Sequence, residues 1–73
     1  MAVRLPEHLQ EQVRQFGEVH MGVYRITVEL ADGRVYAGVE VAWAEEIIRV
    51  PGEPAVPFEA REIAAVYDAS DVP

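Results

Sequence analysis

The chain contains no cysteine, no lysine and no asparagine, and it has one serine, Ser70, and one threonine, Thr27. Lack of cysteine removes a disulfide framework, a thiol nucleophile and any thiolate metal site, so stability is expected from packing alone. The hydroxyl inventory is as thin, because Ser70 falls in a tail expected to fray and Thr27 on a strand position expected to face solvent. Two histidines, His8 and His20, lack the short-spaced carboxylate or histidine partners of strong metal motifs, and both read as surface residues. The acidic pair Glu45-Glu46 imitates a paired-carboxylate site, yet neighbours on a strand point to opposite faces, so it reads as a solvated turn. No catalytic, cofactor-binding or metal-binding residue is assigned, and the expectation is a protein that is not an enzyme.

Positive charge is also scarce. Six arginines face thirteen acids, for a net charge of −7. The deficit is uneven: residues 1–38 hold four arginines and five acids, whereas residues 39–73 hold two arginines and eight acids. That balance opposes nonspecific attraction to nucleic-acid phosphates or an anionic membrane and favours a basic partner surface. No apolar run approaches the roughly 20 residues of a membrane span, and the first residues turn polar before a signal-peptide core can form. A cytoplasmic protein is expected.

What is present is one domain's worth of chain, 73 residues with 51% hydrophobic composition, which can bury about 60% of its unfolded surface in a single core. Leu5, Leu9, Val13 and Phe16 recur at helical spacing with Glu7, Gln10, Glu11, Arg14 and Gln15 between them, predicting an amphipathic helix over 5–16. Pro6 suits its first turn, Glu7 and Arg14 complement the dipole, and Gly17 is placed for a left-handed C-cap.

From residue 22 to 43 the apolar period changes to two around Ala31-Asp32-Gly33-Arg34, and Asp-Gly is a strong two-residue hairpin signal. If Asp32 and Gly33 are the loop, Leu30 pairs with Val35, Val28 with Ala37, Ile26 with Val39 and Tyr24 with Val41 on the inner face, which Trp43 continues. The outer face then pairs Glu29 with Tyr36, Thr27 with Gly38, Arg25 with Glu40 and Val23 with Ala42. Further strands are expected at 46–50, 55–58 and 63–67, with one helical turn at Glu59–Glu62 and fraying from Asp68. The expected class is mostly β: about five short strands behind an N-terminal helix, closed into a small barrel that hides its edges.

The segment Val28-Glu29-Leu30-Ala31-Asp32-Gly33-Arg34-Val35-Tyr36-Ala37-Gly38-Val39-Glu40-Val41 resembles the first motif of Sm-like proteins, in which a strand, an Asp-Gly-Arg turn and a glycine-bent second strand follow an N-terminal helix. The resemblance covers residues 5–43 and implies a Src-homology-3-like small barrel with Gly38 as the bend. It also implies an alternative function, an RNA-associated ring oligomer. Past Trp43 the pattern departs: Ala44, Glu45 and Glu46 stand where an aspartate and a pocket asparagine are expected, and Ala64-Ala65 follows Ile63 in place of an Arg-Gly pair. The resemblance therefore carries the fold and not the RNA site. The leading expectation is a noncatalytic protein-binding or assembly module. Its partner-binding candidates are Tyr36 and Tyr67 as exposed aromatics, with Val23, Arg25 and Glu40 on the outer hairpin face, serving self-association or a basic partner.

Overall fold

The computed structural model describes residues 3–69. It is mostly β: β1 (Val3–Arg4), α1 (Glu7–Arg14), β2 (Glu18–His20), β3 (Val23–Leu30), β4 (Val35–Ala42), β5 (Glu46–Arg49), a 3-10 turn (Ala60–Glu62) and β6 (Ile63–Asp68). All six strands join one antiparallel sheet in the order β1-β5-β4-β3-β2, and β6 also pairs with β3. The central strand β3 thus has β4 along one edge, with β2 and then β6 sharing the other. Among the described residues no helix is long and apolar enough to cross a membrane.

Helix α1 is shorter than its apolar spacing suggests. Leu5 lies before it, in extended chain fixed by donation of the Leu5 N–H to the Glu45 carbonyl at 2.7 Å. Leu5, Leu9 and Val13 are all buried, and each such side chain contributes about 1.5–3 kcal/mol. Gln10, expected on the polar face, is buried too, because its amide turns back and donates to the Leu5 carbonyl at 2.8 Å. Gly17 does not adopt the left-handed cap; instead the N–H groups of Gln15 and Phe16 donate to the carbonyls of Gln12 and Val13 and tighten the last turn.

In the hairpin the half far from the turn has the expected register, Val23 with Ala42, Tyr24 with Val41, Arg25 with Glu40 and Ile26 with Val39. Near the turn the pairing moves by one, to Val28 with Tyr36 and Glu29 with Val35. The loop has three residues rather than two: the Leu30 N–H donates to the Arg34 carbonyl at 2.8 Å, and the Gly33 N–H to the Leu30 carbonyl at 2.9 Å. Gly33 has a φ of 94°, so a tight turn ends in a left-handed glycine. The extra residue is absorbed at Ala37–Gly38, which together oppose Thr27 in a bulge where Gly38 has a φ of 69°.

This shift corrects several expectations. Tyr36 is turned inward, half-buried against the core with its ring centroid 5.4 Å from that of Phe58, while Val35 is turned out and 59% exposed. Thr27 does not face solvent; it is 3% exposed between β4 and β6, and its hydroxyl has no hydrogen-bond partner among the described residues. The segment 55–58 is not a strand, although Phe58 and Val56 pack on the core as irregular chain after the Pro51-Gly52 turn. The expected turn is present at Ala60–Glu62, closed by the Glu59 N–H donating to the Glu62 carboxylate at 2.7 Å and the Glu62 N–H to the Glu59 carbonyl at 2.9 Å. Strand β6 runs through Asp68, which therefore does not fray; Ser70 and the rest of the expected fraying tail lie outside the described residues.

Two measurements check this account. Gly38→Ala should cost about 1–2 kcal/mol, because an L-residue resists the left-handed region, whereas the nearest atom to a new Cβ, the Pro51 Cγ, lies at 3.4 Å and leaves room. Thr27→Val keeps the shape and removes an unpaired hydroxyl, so it should raise unfolding free energy by roughly 1 kcal/mol. Urea midpoints at unchanged m-value read both, and a destabilised valine variant would show that the hydroxyl is bonded after all.

Candidate docking surface

Of the sequence-derived residues, Val23, Arg25, Glu40 and Tyr67 share one face of the sheet and Tyr36 does not. Val23, Arg25 and Glu40 share the outer face of β3 and β4, where the Glu40 carboxylate lies 3.5 Å from Arg25 and 3.6 Å from Arg49 of β5. Tyr67 sits on β6 opposite Thr27 and crosses to donate its hydroxyl to Glu29 at 2.8 Å. That bond raises the Tyr67 pKa, since ionisation would surrender the hydrogen bond and set a phenolate beside a carboxylate. Tyr36 is withdrawn to the core rim.

The two most exposed large apolar side chains lie elsewhere, at the end of the sheet where the β2–β3 and β4–β5 turns meet. Met21 is 90% exposed, Trp43 is 66% exposed, and Val19, two residues before Met21, is exposed as well. Trp43 was expected in the core by strand phase, and the turn is what removes it. Trp43 and Ala44 are the two central residues of a tight turn closed by the Glu45 N–H donating to the Ala42 carbonyl at 2.9 Å. Their φ values are 55° and 63°, both left-handed. This is the mirror-image turn that suits right-twisted hairpins and normally holds asparagine and glycine. Tryptophan and alanine adopt it at a cost of about 1–2 kcal/mol each.

Three local features hold the turn. Ala44 is fully buried, its methyl group part of the core. The Trp43 N–H donates to the Gly22 carbonyl at 2.6 Å, continuing the β3–β4 ladder by one step. The indole lies against Gly22 so closely that a Cβ there would stand 2.7 Å from the Trp43 Cη2 and 2.8 Å from Cζ2 and Cζ3. Gly22 is itself left-handed, with a φ of 75°, and its N–H donates to the Glu18 carboxylate. One part of the indole is thus seated on backbone while the rest faces solvent.

Charge around this end is acidic. Glu18 and Glu46 are exposed, and Glu45 is half-exposed with Arg4 at 3.8 Å. Across the molecule all six arginines are committed to carboxylates: Arg4 to Glu45, Arg14 to Glu11, Arg25 and Arg49 to Glu40, Arg34 to Asp32 and Glu62, and Arg61 to Glu59. At the opposite hairpin end, the backbone N–H and guanidinium of Arg34 hold the Asp32 carboxyl below its ordinary value. No group of three or more histidines and carboxylates among the described residues could hold a metal ion. His8 and His20 are exposed. No protein-family model, curated protein or solved structure matches the chain.

The sequence signal that could have found this surface is weak. Met21-Gly22 reads as a turn, but Trp43-Ala44 carries neither residue that a left-handed turn selects. Gly22→Ala should force both the backbone and the indole out of place, lowering the thermal midpoint by several degrees, since about 1 kcal/mol shifts a domain of this size by roughly 4–8 °C. Trp43 is the only tryptophan, so its emission should shift to the red in the same variant. Unchanged emission and midpoint would contradict the stacking.

Proposed function

We propose that this domain is a noncatalytic protein-binding or assembly module, built on a sheet that curls into a small Src-homology-3-like barrel. The barrel reading is supported by the Gly38 bulge, by β3 serving three partner strands and by the burial of both α1 and Phe58 on one core. The binding reading rests on a single observation: Trp43 is held 66% exposed in a turn whose conformation tryptophan disfavours. Stability alone favours glycine or asparagine there, whereas a rigid aromatic on a fixed turn is what interfaces use as an anchor. The pairing of every arginine with a carboxylate supports a protein partner over RNA, because the cationic field that phosphates need is neutralised on site.

The test is Trp43→Ala. With two-thirds of the side chain already in water, the variant should remain folded and lose at most about 2 kcal/mol of stability. Immobilised wild type should retain a partner from the source lysate that the folded variant loses, by about 30-fold or more in affinity, as for truncation of an anchoring aromatic. Equal retention by both proteins removes Trp43 as the anchor and the reading with it.

A further inference from the structure

Resting on the binding-module reading, we infer that the end formed by Met21, Trp43 and the carboxylates of Glu18, Glu45 and Glu46 docks a basic segment of a partner protein, placing an arginine or lysine against the open indole and an apolar neighbour on Met21. Three observations specify that occupant. An indole is the best aromatic platform for a cation, and here one part is anchored on Gly22 while the remainder is open. Met21, at 90% exposure, supplies a flexible and polarizable apolar contact beside it. The third is charge: the turn residues of β4–β5 run straight into Glu45 and Glu46, and Glu18 lies on β2 just before Met21.

Among the described residues the arginine at this end is Arg4, and it already lies against Glu45. A complementary cation must therefore come from outside, and the other five arginines, each already against a carboxylate with Arg25 and Arg49 sharing Glu40, are not available to supply it. The same balance argues against a second copy of this chain. Two such ends brought together would set Glu18, Glu45 and Glu46 against their equivalents, in molecules that each carry a net charge of −7. A heterologous basic segment meets the apolar and the acidic features at once.

The single tryptophan makes the test local. The probe is a short blocked peptide alternating arginine and valine, titrated while Trp43 emission is followed, with a copy carrying glutamate for arginine as the control. The basic peptide should shift the emission and saturate, its affinity should fall about tenfold or more as ionic strength rises, and the acidic copy should do neither. Glu18→Gln with Glu46→Gln should weaken binding by about tenfold or more, whereas Glu7→Gln with Glu53→Gln, the same change in net charge at other places, should leave it within about twofold. Trp43→Ala and Met21→Ser, followed by calorimetry and checked for folding, should each abolish the interaction.

Four results would overturn the inference: no emission change with the basic peptide, equal losses from both pairs of glutamine variants, tighter binding of a single-stranded RNA that shifts Trp43, or concentration-dependent self-association in sedimentation that is lost in Trp43→Ala. Failure of the basic peptide with persistent Trp43-dependent capture from lysate removes this inference and leaves the binding-module reading. Failure of both removes both.

Discussion

A strand presents its side chains to two faces in turn, so one extra residue anywhere along it turns everything beyond that point inside out. The hairpin of this protein contains two such residues, and they cancel. The loop Ala31–Gly33 is one residue longer than the Asp-Gly dipeptide suggests, which would carry Glu40 into the core and Val39 and Val41 out of it. The bulge at Ala37–Gly38 adds the second residue and restores the phase, so that Val39 and Val41 are fully buried and Glu40 returns to the surface between two arginines. Only glycine takes the required φ of 69° without penalty.

The consequences of that compensation run to both ends of the sheet. Between loop and bulge, Tyr36 faces inward and closes the core against Phe58, which needs no strand of its own to be held there. Beyond the bulge the restored register carries the ladder through Val23 and Ala42 to the Gly22–Trp43 bond, and so fixes where the indole emerges. The position of the exposed aromatic therefore depends on a glycine five residues away in the chain. It depends equally on Gly22, whose lack of a side chain is the seat for the ring.

Electrostatics divides the surface in the same way. Each arginine is spent on a neighbour, and the surplus of carboxylates is left to define the field. Exposed pairs of this kind contribute little to stability, typically below about 1 kcal/mol. Their larger effect is on the surface field, because they leave an acidic molecule whose arginines are already taken.

Composition and local pattern were enough to determine a mostly β chain with one amphipathic helix, the far half of the hairpin register, the Arg25–Glu40 pair, the turn before β6 and the acidic character of the surface. These follow from neighbours in sequence, whose spacing records which face they occupy. The strands β1 and β2 were not legible, since two or three residues, with β2 exposed throughout, leave no alternation to read. Nor were the burial of Gln10 and Thr27, the inward turn of Tyr36 or the exposure of Trp43. Each of those depends on which strand lies alongside and on one residue of register, decided by a bulge that absorbs the loop's extra residue and by a left-handed turn made of residues that do not ask for one. Pattern along a chain reports its faces, and only packing across chain segments decides which face is covered.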